Sequence, residues 1–333
     1  MTLHQIAFPA LGLEFSIDSV AFSIGSWRVY WYGIIIACGF ALAVLYCTRR
    51  CKQNGISPDD LLDMLIFGVP LSVIGARLYY CIFHFSEYAS DPGAILRIWD
   101  GGLAIYGGVI VAIAVVIVFT RVKKIKTGAM LDLVAMGFLI GQIIGRWGNF
   151  CNAECFGRDI LPAADGSLPF YAMQVSTHPG AAVHPLFFYE SMLNLVLFLV
   201  LHFLFKKRKF DGQIFLGYMM GYGVIRFCTE GIRNYDDALK IWNTDLRVSQ
   251  LLAAAFAVAG LVLMIVGLFR IRARKNQEAM EAAIAGEPEI PETPEEPEAE
   301  EPLADQPEDF AYFPKEELDS IIPEPTEEKS GEE

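Results

Sequence analysis

The sequence predicts an all-α integral membrane protein of seven transmembrane helices, with the N-terminus outside and the C-terminus in the cytoplasm. A small extracytoplasmic cap and a disordered acidic tail complete the prediction. Hydrophobic residues make up 54% of the 333 residues and the mean hydropathy is +0.39, too apolar for an ordinary soluble chain. Seven apolar runs approach the roughly 20 residues that a helix needs to cross a bilayer. Basic clusters follow every second run.

The apolar runs set the order of the predicted helices. They cover residues 30–48, 61–83, 103–120, 130–144, 187–205, 213–229 and 249–269. The clusters after runs one, three, five and seven hold fifteen of the 24 Lys and Arg residues in 1–275. Because positive charge marks the cytoplasmic side, we expect the N-terminus, the polar loop 149–185 and the loop 230–247 to face outward. Residues 1–28 are mixed in composition, and the alternation of large apolar with small residues over 20–25 indicates an extended or interfacial lead-in. The loop 149–185 is long enough to fold as a cap.

The tail differs in composition from the rest of the chain. Residues 276–333 carry a net charge of −19 and nine of the seventeen prolines, whereas residues 1–275 carry a net charge of +6. A segment with low hydrophobicity and high net charge cannot bury enough apolar surface to fold. We therefore divide the chain into a seven-helix membrane domain, 1–275, and a disordered cytoplasmic tail, 276–333, with a short helical continuation through Ile284.

One polar stretch, Gly145 to Arg158, follows the fourth apolar run and organises the functional prediction. It reads GRWGNFCNAECFGR and places two arginines, two asparagines and a glutamate among three glycines. A charge near hydrocarbon needs a partner or a function, and glycines let backbone approach a neighbour or a ligand closely. The stretch therefore predicts a polar site at a membrane surface.

Three arginines, Arg77, Arg146 and Arg226, lie in or beside apolar runs. Arg77 could be a structural cation held by a carboxylate or by helix carbonyls, and Arg226 could form a structural ion pair with Glu230, one turn later. If all three face one cavity, Glu154 and Glu230 cannot neutralise them, and an external anion is expected. A guanidinium fork suits phosphate, and a lipid headgroup is the abundant phosphate in a membrane.

Further motifs allow both a structural and a functional interpretation. Tyr32 could anchor the first helix in the interfacial aromatic belt or bond to substrate through its hydroxyl. The paired glycines 101–102 and 107–108 suit close helix packing or a bound ligand. His184 to Glu190 could be an interfacial helix start. The sequence contains no GxSxG, HExxH or P-loop motif, and Cys151 and Cys155 lack a nearby histidine for zinc. We expect no metal, no cofactor and no nucleic acid partner.

Together these residues resemble the prolipoprotein diacylglyceryl transferase family. The stretch GRWGNFCNAECFGR is similar to the family signature. Five further pieces are similar in order: RVYWYG, GARxxY, GG…GG, HPxxxYE and GYGxxRxxxE, and the resemblance covers about residues 25–270. It implies a multi-pass protein of the bacterial plasma membrane with its active site towards the outer leaflet. The implied partners are phosphatidylglycerol, a prolipoprotein lipobox peptide and membrane lipid.

The resemblance implies transfer of the diacylglyceryl group of phosphatidylglycerol to the lipobox cysteine thiol, the first step of lipoprotein maturation. A thioether forms and glycerol 1-phosphate leaves. By residue matching, Arg146 and Arg226 would hold the phosphate and Glu230 would orient Arg226. The matching also assigns a catalytic role to Tyr32, and Tyr106 is a candidate catalytic residue because it stands where the family often has a candidate base. Its other matched positions line the substrate pocket: Asn149, Glu154, Gly157, Arg77 and Tyr222.

Position 106 departs from the family pattern. The family often has histidine in GGxxxHGG as a candidate general base, whereas this sequence has Tyr106. A phenol is a poorer base than imidazole at neutral pH. Either Tyr106 is specially activated or the thiol proton goes to another group or to water, and we favour the second. The alternative function is a phospholipid or anion transporter using the same arginines; a different headgroup transferase is disfavoured because an aspartate-rich metal site is missing.

Overall fold

A computed structural model describes residues 3–88, 91–234 and 247–285. The chain divides into two compact units, Met1–Lys275 and Asn276–Glu333. The predicted disorder of the tail falls almost entirely on residues 286–333, which lie outside the described residues.

Seven long helices account for most of the described chain. They are α1 Trp31–Cys51, α2 Pro58–Phe83, α3 Ile105–Val122, α4 Thr127–Cys151, α5 Leu186–Phe205, α6 Gln213–Ile232 and α7 Val248–Ala285. Each overlaps one of the seven apolar runs over most of its length. Within the described ranges, all but α6 are long and apolar enough to cross a membrane. The mostly helical membrane class agrees with the prediction, whereas seven crossings and the orientation of the termini stay predictions.

Helix α4 ends later than predicted, whereas the end of α7 lies close to the predicted one. Helix α4 does not stop at Ile144 but continues through Cys151, because Arg146 and Asn149 find polar partners and do not break the helix. The loop that was expected to begin at residue 149 therefore begins at Asn152. Helix α7 extends through Ala285, as the expected short continuation suggested.

The cap contains β-structure, which corrects a purely α-helical description. Its five-stranded sheet has the order β2-β1-β6-β7-β5. The strands are β1 Leu3–Phe8, β2 Leu13–Asp18, β5 Asp159–Ile160, β6 Met173–Val175 and β7 His178–Val183. A separate hairpin joins β3 Val20–Ile24 to β4 Trp27–Tyr30. The N-terminal lead-in thus pairs with the loop between α4 and α5, through Ile6 opposite Val175.

Helix α4 is the centre of the bundle and contacts α1, α3, α5 and α6. Its apolar side buries Leu133, Met136 and Leu139 completely. Asp132 on the same helix is also fully buried, and its carboxylate accepts hydrogen bonds from the backbone N–H groups of Gly212 and Phe215, each at 2.9 Å. Because these N–H groups start α6 and have no partner within that helix, Asp132 caps α6 and sets its position against α4.

The α2–α3 contact depends on glycine and supplies a stability prediction. A Cβ on Gly107 would collide with Tyr79 Cβ and with the backbone carbonyl of Gly75. We expect Gly107→Ala to lower the free energy of unfolding by about 1–3 kcal/mol, the usual cost of overpacking. Gly108→Ala is the matched control, since its Cβ would lie 3.4 Å from the Ser72 carbonyl oxygen and 3.5 Å from Ala76 Cβ. Denaturant unfolding in detergent micelles measures both, and equal stabilities would contradict the prediction.

Candidate functional site

Two arginines from different helices meet on one buried carboxylate. Glu190, in the second turn of α5, is 1% exposed. Its Oε2 pairs with Nη2 of Arg146 on α4, and its Oε1 lies 3.3 Å from Nη1 of Arg226 on α6. The two guanidinium groups, eighty positions apart in the sequence, therefore lie side by side.

A second carboxylate, Glu230, extends this cluster along α6. Its Oε2 lies 2.7 Å from Nη2 of Arg226 and 3.5 Å from Nη1 of Arg233. Its Oε1 accepts a hydrogen bond from Ser249 Oγ at 3.0 Å and lies 3.8 Å from Nη1 of Arg247. The predicted pairing of Arg226 with Glu230 is present, and Glu230 is shared with further cations.

Arg247 links the start of α7 to the end of α6. Its Nη1 donates to the Glu230 carbonyl at 2.8 Å and its Nη2 donates to the Arg233 carbonyl at 2.7 Å. The last carbonyls of a helix have no partner within it, and a cation there is favoured by the helix dipole. Arg247 therefore stabilises the turn that carries Glu230.

The charges of the site do not balance. Arg146, Arg226 and Arg247 meet two carboxylates, Glu190 and Glu230, so one positive charge remains even when Arg233 is left out. The two carboxylates are buried, whereas the side chains of Arg146 and Arg226 stay 18% and 23% exposed. An incoming anion therefore meets guanidinium N–H groups and not carboxylate oxygens, which is the arrangement for binding phosphate.

The turn after α4 holds Asn149 and Glu154 together. Asn149 Nδ2 donates to Glu154 Oε1 at 3.0 Å, and Asn152 Nδ2 donates to the same oxygen at 3.3 Å. Ala153 and Cys155 on either side have φ of 48° and 56°, a conformation that L-residues seldom adopt. Such strain persists where the surroundings hold it and is typical of functional sites. Glu154 is exposed beside the site and does not pair with the arginines in any described contact, contrary to one option in the sequence analysis.

Two predicted tyrosines approach the cluster from different sides. The ring of Tyr32, at the start of α1, packs on Gly148, where a Cβ would lie 2.5 Å from ring carbon Cδ2. Tyr32 also lies within electrostatic reach of Arg146 and Glu154. Tyr222, one turn before Arg226 on α6, stacks on Tyr218 with ring centroids 5.4 Å apart. Because Gly148 has no side chain, the Tyr32 ring can pack against α4 close to Arg146.

Gly157 has a backbone role beside the site. A Cβ there would lie 2.7 Å from His184 Cβ and 3.2 Å from the Ile232 carbonyl oxygen. The Gly157 N–H donates to the His184 carbonyl at 2.9 Å, and Gly157 forms a β-bridge with Arg233. The signature stretch therefore passes between the start of α5 and the end of α6, a passage that requires glycine.

Arg77 does not join the cluster in any described contact. Its five N–H groups donate to five backbone carbonyls, those of Ala94, Ile95, Arg97, Gly101 and Gly102. Gly102 has φ of 70°, and a Cβ there would lie 2.5 Å from Nη1 of Arg77. Arg77 thus holds the segment before α3 and has no N–H left for a phosphate. The structural interpretation of Arg77 fits this geometry, and direct substrate binding does not.

Tyr106 lies in the first turn of α3 and is 48% exposed. No hydrogen bond to its hydroxyl is present within the described part of the chain. No described residue is thus seen to activate it as a base.

Three members of the cluster were not assigned to the site from sequence: Glu190, Arg233 and Arg247. Glu190 belongs to HPxxxYE, which we interpreted as a helix start, yet a carboxylate at the start of an apolar run was a signal for a buried ion pair. Arg233 and Arg247 flank a polar loop, and nothing local distinguishes them from other surface cations. Across the described ranges, no group of three or more His, Cys, Asp or Glu side chains is arranged to hold a metal ion.

The chain is similar in sequence to the members of one family of transferases. The family model of prolipoprotein diacylglyceryl transferase matches residues 19–266. A phosphatidylglycerol–prolipoprotein diacylglyceryl transferase of Finegoldia magna is 42% identical over 249 residues, which cover 74% of this chain and 95% of that protein. The protein of the same name from Lactiplantibacillus plantarum is 41% identical over 254 residues, 75% and 89% of the two chains. That of Oceanobacillus iheyensis is 38% identical over 254 residues, 75% and 88%.

Proposed function

The chain belongs to the prolipoprotein diacylglyceryl transferase family, and we propose that it transfers the diacylglyceryl group of phosphatidylglycerol to prolipoproteins at the Arg146–Glu190–Arg226 cluster. It is a multi-pass bacterial membrane enzyme of lipoprotein biosynthesis. The acceptor is the thiol of a lipobox cysteine. The observation that carries the site assignment is the meeting of Arg146 and Arg226 on the single buried carboxylate of Glu190.

The chemistry follows from that arrangement. The cysteine sulfur attacks the glyceryl carbon, a C–S bond forms, and the C–O bond to phosphate breaks. Negative charge grows on the leaving phosphate, and Arg146 and Arg226 are already oriented to receive it. Groups that are preorganised for the charge of the transition state lower its energy more than that of the substrate. The thiol proton passes to water, and glycerol 1-phosphate leaves.

The other residues have supporting roles in this proposal. Tyr32, whose ring packs on Gly148, forms a hydrogen bond with the headgroup. Asn149 and Glu154 form part of the pocket wall. Gly157 lets the signature stretch pass between α5 and α6. Glu230 orients Arg226, while Arg77 acts at a distance by holding the segment before α3.

We further propose that α6 is a seventh membrane helix and that the site faces the outer leaflet. Helix α6 is less apolar because it carries Arg226 and Glu230, but neighbouring helices cover it. A Cβ on Gly223 would lie 2.7 Å from the Ala253 carbonyl, and one on Gly260 would lie 2.8 Å from the Met220 nitrogen, so α6 and α7 touch backbone to backbone. The basic clusters support an N-terminus outside and a C-terminus in the cytoplasm.

The decisive experiment analyses the products of purified protein with phosphatidylglycerol and a lipobox peptide. We expect a thioether-linked diacylglyceryl peptide and glycerol 1-phosphate in equal amounts. A headgroup-dependent flux of lipid or anion across vesicles, with no thioether product, would instead support the transporter alternative.

The same assay tests Tyr106. Because Tyr106 is half exposed and its hydroxyl has no partner among the described residues, we expect Tyr106→Phe to keep kcat/KM within about threefold of wild type. Tyr32→Phe is the informative comparison, since Tyr32 lies within electrostatic reach of Arg146 and we propose that its hydroxyl bonds to the headgroup. We expect this variant to lose about 10-fold or more in kcat/KM, as for a lost hydrogen bond to a charged group. If Tyr106→Phe lowers kcat/KM as much as Tyr32→Phe does, Tyr106 takes part in the reaction and the expectation is wrong.

A further inference from the structure

A second polar layer lies one helical turn from the arginine cluster. On α4, Gln142 precedes Arg146 by four residues; on α5, Asn194 follows Glu190 by four; on α6, Tyr222 precedes Arg226 by four. Residues four apart share a helix face. The Ser191 Oγ bond to the Ile143 carbonyl, at 2.9 Å, confirms that α4 and α5 run side by side at this depth. We call Gln142 and Asn194 the amide pair.

The amide pair has unused hydrogen-bonding groups. Asn194 is 1% exposed, and neither its Nδ2 nor its Oδ1 has a hydrogen-bond partner among the described residues. Gln142 donates through Nε2 to the Tyr218 hydroxyl at 3.0 Å, but its buried Oε1 has no described partner. Buried polar atoms are nearly always paired, and those that are not call for an explanation. Three such atoms next to a substrate site point to a place where a polar group of a substrate can bind.

The ligand must both donate and accept hydrogen bonds, because the amide pair offers one donor and two acceptors. A hydroxyl group does so. An ammonium headgroup would satisfy the acceptors, but it donates only and would lie about one helical turn, roughly 5.4 Å, from the excess positive charge at Arg146 and Arg226. The site therefore favours a neutral polyol over a cationic headgroup.

We propose that the amide pair binds the hydroxyl groups of the headgroup glycerol of phosphatidylglycerol and so determines headgroup specificity. This inference rests on the proposed function and on phosphate binding at Arg146 and Arg226. Arg146 and Glu190 lie one helical turn from the amide pair, so a headgroup whose phosphate binds Arg146 has its glycerol within about one turn of Asn194. Ordered water is the other source of hydroxyl groups, and the test separates the two.

The test compares phosphatidylglycerol with phosphatidylpropanol of the same acyl chains, whose headgroup lacks the two free hydroxyls. Thioether formation on a lipobox peptide is measured in mixed micelles. For wild type we expect kcat/KM to be about 10- to 100-fold lower with phosphatidylpropanol, as when buried polar groups of a site lose their substrate partners. For Asn194→Leu we expect the two lipids to react at nearly equal, lowered rates. Leu193→Ala, an exposed neighbour on α5, should keep the wild-type ratio.

Each outcome decides the question. If Asn194→Leu lowers kcat/KM by the same factor for both lipids, the ratio of the two values stays as in wild type. The amide pair then binds water and the proposal fails. It fails too if wild type does not discriminate between the lipids. Thermal unfolding shows whether Asn194→Leu is folded. If it is not, the same comparison of kcat/KM for the two lipids is made with Gln142→Leu, with the same expected result. Absence of thioether product from wild type with phosphatidylglycerol would instead defeat the proposed function.

Discussion

Arg146→Ala is expected to lower the rate of thioether formation about 100- to 1000-fold. That is the usual effect of removing one preorganised donor to a developing negative charge. Arg146 supplies such donors on α4. Arg226 on α6 cannot replace them, because its Nη1 and Nη2 each already pair with a carboxylate and only its remaining N–H groups can reach the phosphate. Single-turnover assays with saturating phosphatidylglycerol measure the chemical step directly.

Two further variants separate charge from geometry at this position. Arg146→Lys keeps the charge but loses the planar fork that fits phosphate, so we expect it to recover a minor part of the lost rate. Arg28→Ala on strand β4 removes an exposed arginine outside the cluster and should leave the rate unchanged. An Arg146→Ala enzyme that is folded and fully active would refute phosphate binding by Arg146.

Glu190→Gln is expected to impair both folding and catalysis. Removing one partner of a buried ion pair typically costs about 3–5 kcal/mol because the remaining charge stays buried without compensation. Here one carboxylate serves two guanidinium groups, so Arg146 loses its described carboxylate partner and Arg226 keeps only Glu230. Thermal unfolding in detergent gives the stability, and activity per folded molecule gives the catalytic effect.

The comparison variants for Glu190 test whether its charge or its position matters. Glu190→Asp keeps the charge on a shorter side chain and should retain more stability than Glu190→Gln, with reduced activity because the two arginines are drawn out of register. Glu14→Gln changes an exposed carboxylate on strand β2 and should behave as wild type. Wild-type stability and activity of Glu190→Gln would show that the arginines are positioned by other groups.

The sequence predicted the meeting of Arg146 and Arg226 but not the group that joins them. Their place in apolar helices was visible because hydropathy and charge are local properties of the chain. Glu190 was ambiguous, since a carboxylate at a helix start also suits an interface with water. Its burial depends on the register of α5 against α4 and α6, which is a property of three packed helices.

For Arg77, the sequence suggested a role in the site that the structure does not support. As a charge in an apolar run it looked equivalent to Arg146 and Arg226, and the resemblance assigned it to the pocket. Its five backbone acceptors come from a segment 17 to 25 residues away. Such carbonyls carry no signal in the residue types that bear them, so the sequence left both interpretations of Arg77 open.

The amino-acid sequence by itself determined that this chain forms apolar helices, where those helices fall, and that its polar stretch belongs to one enzyme family. These follow from hydropathy, charge and motif order, which are encoded position by position. The tertiary structure decided that β1 and β2 join the cap sheet, that Glu190 bridges two arginines and that Arg77 donates its hydrogen bonds to backbone carbonyls. The physical reason is that pairing, burial and hydrogen bonding between distant segments depend on how the helices and strands pack.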